Sequence, residues 1–214
     1  MKFVMMDEET HVKETENYEK YLSEKNKERK AELGYVLPYA DSPYDGKNVG
    51  EQVYLHILNN AKKYVHIMTP YLIVDDDMLS TLIYAAECGV EVKIIMPYVP
   101  DKWYAFELAK TYYKPLLEAG VEIYEYKPGF VHAKVFVSDN DTATVGTINL
   151  DYRSLYHHFE CGAFIYNNTE VDKIERDFQQ TLAKCHKVTL MEVKNRTLFT
   201  KITGQVLRMI APLM

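Results

Sequence analysis

Hydrophobic and polar positions divide the chain into short alternating elements after a charged start. Residues 1 to about 33 are dense in Glu and Lys, with a thin apolar stripe at Tyr18, Tyr21, Leu22 and Leu33. That composition favours a solvated helix stopped by Gly34. Tyr35 to Tyr39 reads as an extended segment, and a turn-rich loop follows it. Asn48 is placed to cap a helix running to about Lys63, with Val53, Ile57 and Leu58 on its apolar face. Tyr64 to Thr69 is a buried strand ended by Pro70. Asp75 to Asp77 open a second helix, where the helix dipole favours acidic side chains. It runs to Cys88 and stops at Gly89. Val90 to Met96 is the next strand. A helix from about Lys102 to Ala119 follows, which Pro115 is expected to break or kink, and then a strand from Val121 to Tyr126.

Strand and helix alternating at this spacing is the pattern of a parallel sheet with covering helices. From Val131 the rhythm changes. Val131 to Val137, Ala143 to Ile148 and Cys161 to Tyr166 are strand candidates, and the polar turn Asp139-Asn140-Asp141 makes the first two a hairpin. The expected class is α/β: a mixed, mainly parallel sheet flanked by helices on both faces. A helix from about Glu170 to Lys187 follows. The closing stretch, Leu198 to Met214, is amphipathic to strongly apolar. It reads as a packed terminal helix, with a membrane-surface helix as the alternative. The division expected is a charged helical segment or linker over 1–34 and one domain over 35–214.

Composition narrows the picture. A chain of 214 residues with 47% hydrophobic content supports one sizeable core. The net charge of -6 counts against nucleic acid as the main partner. Cys88, Cys161 and Cys185 are scattered and odd in number, and read as reduced, buried, small apolar residues of an intracellular chain. No run of eighteen apolar residues offers a spanning helix, and the start is too acidic for a signal peptide. The 18 tyrosines suit half-buried packing or a lipid interface.

The polar groups that can do chemistry together lie between Phe130 and Glu160. His132 and Lys134 are two apart on an expected strand, so their side chains leave one face. Val131, Ala133, Val135 and Val137 take the other face, and Phe136 shares the histidine side. Burying a lysine costs several kcal/mol unless an anion pairs with it, and a phosphate supplies one. Across the hairpin Thr147 and Asn149 share a face and can donate to phosphate oxygens. Glu160 can accept the Nδ1 proton of His132, leaving Nε2 as a nucleophile. The set suits attack on phosphorus through a phosphohistidine.

Other candidates carry bland readings beside functional ones. His66 reads as a satisfied core histidine rather than a ligand. His157 and His158 are solvated loop residues or headgroup contacts. Arg153 holds phosphate or pairs with Asp151. Tyr71, Asp101 and Trp103 follow strand ends, where ligands of open α/β sheets bind, and line a lipid pocket or merely pack a loop. Lys134 would repel a metal held by His132, Asp139 and Glu160.

The run His132-x-Lys134-x4-Asp139, then Gly146-Thr147-x-Asn149, resembles the HKD motif of the phospholipase D superfamily. The stretches TPYLIVDDDM, AAECGVEVKIIMPYVPDKW, AGVEIYEYKPGFVHAKVFVSD and GTINLDYRSLYHHFECG are similar to the C-terminal half of bacterial cardiolipin synthases, over about residues 35 to 214. The resemblance implies a phospholipase D-like fold and transfer of a phosphatidyl group between two phosphatidylglycerol molecules, giving cardiolipin and glycerol. One histidine attacks phosphorus and a second, from another HKD motif, protonates the leaving alcohol, with no metal and no cofactor. His132 takes an active-site histidine's place, Lys134 and Asn149 those of phosphate binders, and Glu160 that of the histidine's partner. Thr147 stands where Ser is common, and Asp139 belongs to the motif in a mainly structural place. The family's chains carry two such motifs and N-terminal membrane helices. This chain is therefore expected to be one half, soluble or peripheral on the cytoplasmic side of a bacterial cell membrane. Its expected partners are phosphatidylglycerol, the membrane surface, and the other HKD half or a second copy. Two rival expectations stand beside this one: a homodimeric phosphodiesterase acting on lipid or nucleic acid, and a non-enzymatic partner domain.

Overall fold

The computed structural model describes residues 33–44 and 46–213, so the helix expected at the charged start lies outside them. The first part of the fold holds β1 (Tyr35–Asp41), α1 (Val49–Asn60), β2 (Tyr64–Met68), β3 (Leu72–Ile73), α2 (Asp76–Glu87), β4 (Glu91–Pro97), α3 (Trp103–Glu118) and β5 (Glu122–Tyr126). Then come β6 (Val135–Ser138), β7 (Thr142–Gly146), β8 (Leu150–Asp151), a π-helical turn (Arg153–His157), β9 (Glu160–Tyr166), α4 (Thr169–Leu182), β10 (Cys185–Lys187), α5 (Leu190–Lys194) and α6 (Leu198–Ile210). Eight strands form one sheet in the order β1-β9-β7-β6-β2-β4-β5-β10, and β3 pairs with β8 beside it.

The sheet is mixed, but parallel pairing is the minority, contrary to expectation. Only β2 with β4 and β4 with β5 are parallel, against five antiparallel neighbours. The strand-helix rhythm before Tyr126 does give the parallel part. Afterwards the chain re-enters the sheet through hairpins and edge strands, which run against their neighbours. Both faces are covered, as the strand alternation requires. Ile67, Ile94, Ile123 and Phe136 face a large core with α1, α2 and α3. Met68, Ile95 and Val135 pack on Phe178 of α4, and Val137 and Ala143 on its Val171. Each of these side chains other than Ala143 contributes about 1.5–3 kcal/mol on burial.

Several element boundaries shift for identifiable reasons. Asn48 makes no capping bond. Instead the Asp41 carboxylate, brought from β1, accepts from Val49 N at 3.2 Å and Gly50 N at 2.7 Å. Pro115 does not break α3, because it falls in the last turn and the helix ends three residues later. The helix expected to reach Lys187 stops at Leu182, and Cys185–Lys187 covers the edge of β5, with His186 opposite Glu125. Cys88 and Cys161 are exposed rather than buried. His66 is the satisfied core histidine, with Glu175 at 3.0 Å on Nδ1 and Glu91 at 3.1 Å on Nε2.

Candidate active site

Val135, the first residue of β6, lies opposite Met68, the last of β2. The segment ahead of β6 therefore emerges at the same end of the sheet as the C-terminal ends of the parallel strands. The ladder starts only at Val135, so His132 and Lys134 stand on an extended lead-in rather than within the strand. Gly146 N donates to Lys134 O at 3.2 Å, and Thr147 N to Cys161 O at 2.9 Å. These two bonds draw Lys134, Thr147 and Glu160 together. The approach needs glycine at 146, where a Cβ would stand 2.4 Å from the Cys161 carbonyl oxygen.

Lys134 is buried and His132 exposed. The lysine Nζ donates to His132 O at 2.7 Å and to His132 Nδ1 at 3.0 Å. An ammonium has no acceptor capacity, so Nδ1 takes the lysine's proton side and the ring's own proton sits on Nε2. This corrects the expectation that Glu160 would hold Nδ1. Glu160 instead accepts from the Thr147 hydroxyl, and its other oxygen is 4.0 Å from His158 Nδ1. Thr147 is correspondingly committed to Glu160 rather than left free for a ligand. Its oxygen also accepts from Cys161 N at 3.0 Å. Burial lowers the Lys134 pKa below the ordinary lysine value, while the charges of Glu160 and Asp151 work against the fall. No described carboxylate lies within ion-pair distance of Nζ.

Asn149 adds a second unfinished group. Its Oδ1 is buried and has no hydrogen-bond partner among the described residues, an arrangement that costs about 1–3 kcal/mol unless a ligand completes it. Asp139 is elsewhere. It lies at the far end of β6 and accepts from the backbone amides of Lys62, Lys63 and Tyr64 at 2.7, 2.9 and 2.9 Å. With φ values of 55° and 61°, Asp139 and Asn140 form the left-handed centre of the β6–β7 hairpin turn. Asp139 is thus engaged by the backbone amides that lead into β2, at the opposite end of β6 from His132.

The flanking candidates divide as well. Arg153 donates from Nε to His158 Nε2 at 3.3 Å, while the Asp151 carboxylate accepts from Ser154 N, so those two do not pair. Tyr71 donates to Asp101 at 2.5 Å, and with Asp151 and Tyr152 it lines a cavity of about 420 Å³. Trp103 is 64% exposed at the start of α3. Sequence spacing did not suggest the cluster behind the π-helical turn, where the Tyr156 hydroxyl meets Glu51 at 2.7 Å and also Asp75. Burial, then the bond with Asp75, raises Glu51 to about 7. Burial pushes Asp75 upward too, but bonds from Glu51 and Tyr156 outweigh it and hold it below the usual carboxylate range.

Residues 54–182 match the family described as cardiolipin synthase, phospholipase D-like domain. The chain belongs to that family. A cardiolipin synthase of Alkalihalophilus pseudofirmus is 36% identical over 181 residues, covering 85% of this chain and 36% of the relative. One from Clostridium perfringens is 42% identical over 161 residues, 75% of this chain and 34% of the relative. An uncharacterised protein of Streptococcus mutans is 55% identical over 85% of this chain and 39% of its own length. The chain thus spans little more than a third of the curated relatives it matches. Two solved structures share its fold. The phosphatidylserine synthase of Haemophilus influenzae has a TM-score of 0.64 at 18% identity, over 83% of this chain and 45% of that one. The phospholipase D family member Nuc from Salmonella typhimurium has 0.60 at 19% identity, over 71% and 99%. Among the described residues no helix is long and apolar enough to cross a membrane.

Proposed function

We propose that this chain is the half of a phosphatidyltransferase that carries one of two reacting histidines, and that the assembled enzyme converts two phosphatidylglycerol molecules to cardiolipin and glycerol. The observation that carries the reading is the buried Lys134 ammonium, 3.0 Å from His132 Nδ1 and without a bonded carboxylate. An ammonium so placed favours an incoming phosphate. A phosphodiester oxygen attracts it more strongly than an imidazole nitrogen does, so substrate binding draws Lys134 off Nδ1 and frees the ring to change tautomer. The Nε2 lone pair of one histidine then forms the P–N bond while the P–O bond to glycerol breaks. The Nε2–H of the other histidine passes its proton to the departing oxygen. In the return step a hydroxyl of the second phosphatidylglycerol attacks phosphorus, the P–N bond breaks, and the hydroxyl proton returns to the second ring. Lys134 neutralises charge on the phosphoryl oxygens throughout. A substrate hydroxyl supplies the donor that Asn149 Oδ1 lacks.

The second histidine comes from the remainder of a longer chain or from a second copy, and the setting is the cytoplasmic face of a bacterial cell membrane. The test is phosphatidylglycerol turnover in EDTA. Cardiolipin and glycerol should appear in equal amounts, and His132→Ala should abolish both; turnover surviving that substitution sinks the reading. A second reading is a phosphodiesterase built from two copies of this chain, favoured by the Salmonella phospholipase D family member, 99% of whose chain is matched by this one. Sedimentation as a dimer, with hydrolysis of a simple phosphodiester and no transfer product, would select it.

A further inference from the structure

The outer face of α6 is a part of the described molecule that neither the core nor the site explains. Its inner side is fixed against α3 at Gly204, where a Cβ would stand 2.7 Å from Thr111 Cγ2. Its outer side carries Leu198, Phe199, Ile202, Val206, Met209 and Ile210, all between 45% and 83% exposed. Their spacing gathers them into one stripe along a helix about 20 Å long. No described residue covers the stripe. Contiguous apolar exposure on this scale marks an interaction surface.

The charge beside the stripe indicates what it meets. Lys114 of α3, Lys194 and Arg196 from the approach to α6, and Lys201 and Arg208 of α6 line one groove of about 380 Å³ with no carboxylate in its lining. Glu107 and Glu118 reach Arg196 and Lys194 from outside it. In a chain of net charge -6 this is a local reversal of sign. We propose that α6 lies in the surface of a bilayer containing anionic lipid, its apolar stripe among the acyl chains and the flanking cations at the headgroups. A second copy is the poorer occupant. An isologous contact across this face would set Lys201 and Arg208 against their own copies. The far end of the stripe also leads to the site. Ile210 and Ala211 line the cavity of about 420 Å³ that Tyr71, Tyr152 and Asp151 share, and Asp151 is one of the charges acting on Lys134. A lipid beneath α6 therefore has an apolar cavity beside the phosphate site. The inference deepens the reading above and rests on it for the choice of lipid.

The experiment is co-sedimentation of the full chain with vesicles, either of pure phosphatidylcholine or with one third phosphatidylglycerol. Binding should favour the anionic vesicles and weaken several-fold between about 0.05 and 0.5 M salt. Phe199→Glu with Met209→Glu, at positions 78% and 83% exposed, should lower the partition coefficient by at least about tenfold with an unchanged thermal midpoint. Lys114→Glu with Lys201→Glu should remove the preference for anionic vesicles. His132→Ala should bind as the wild type does, which separates this inference from the catalytic one. A chain that binds through α6 but transfers nothing, alone or with the other half supplied, supports the docking surface and overturns only the reading of the site. Wild type that ignores anionic vesicles, or a Phe199/Met209 variant that binds undiminished, overturns the proposal. So does a dimer that these substitutions convert to monomer.

Discussion

The two ends of β6 are built from one motif and have opposite characters. At the far end the Asp139 carboxylate is matched, accepting from three successive amides, and the residue's backbone makes the hairpin turn. At the near end a lysine is buried against an imidazole, and the Asn149 side-chain carbonyl has no partner among the described residues. One end is tied to the neighbouring backbone, while the other holds an ammonium without a bonded carboxylate and a buried side-chain carbonyl without a partner among the described residues. Substitutions at the two ends of this short strand should therefore fail in different ways.

The largest expected effect is at the near end. Lys134→Met should reduce phosphatidyl transfer by about 10²–10³-fold, the cost of losing a charged donor to the reacting phosphoryl group. Its denaturation midpoint should stay level or rise, because a buried ammonium without a bonded carboxylate is replaced by an apolar chain. A large loss of stability would show Lys134 to be structural and would break the comparison. At the far end Asp139→Ala should cost about 2–3 kcal/mol in chemical denaturation, from amides left without an acceptor. Activity per folded molecule should remain within a few-fold. Asp139→Asn, which keeps an acceptor oxygen and tolerates the left-handed backbone, should cost less.

Asn149→Leu sharpens the same contrast on a smaller scale. Removing a buried unpaired carbonyl should leave stability equal or up to about 1 kcal/mol higher, while transfer falls. The smallest effect concerns pH and lies outside the site. Glu51 is raised from the ordinary 4.5 to about 7, so between those values the folded chain holds a proton that the unfolded chain has released. Stability from this group is full below 4.5 and is lost as pH rises through 7. Asp75, held below 3.8, titrates outside that window. Glu51→Gln should flatten the pH dependence of the thermal midpoint between 5 and 8, and an unchanged slope would remove Glu51 as its source.

Much of this was legible in the residues. The alternation at Val135, Phe136 and Val137 foretold a strand covered on both faces, and Asp139-Asn140 foretold the hairpin. The strand-helix rhythm gave the parallel core, but it could not give the pairing of β1, β9 and β10. Edge partners are chosen by tertiary packing, and a three-residue strand such as Cys185–Lys187 has too little pattern to separate it from the end of α4. Within the site, spacing brought His132, Lys134, Thr147 and Glu160 into one neighbourhood. It could not decide which donor faced which acceptor. Lys134 reaches Nδ1 and Thr147 occupies Glu160 because of the bonds Gly146 and Thr147 make to neighbouring strands, which no local pattern encodes. The Glu51, Asp75 and Tyr156 cluster joins residues about a hundred positions apart and was invisible for the same reason.

As proposed, His132 is one of a pair of reacting histidines. The most direct test follows cardiolipin and glycerol from phosphatidylglycerol in EDTA, with the chain alone and with the N-terminal portion of a cardiolipin synthase supplied beside it. Equimolar products should appear wherever a second histidine is present, and His132→Ala should abolish them. Undiminished transfer by His132→Ala, or no transfer in either assembly, would contradict that proposal.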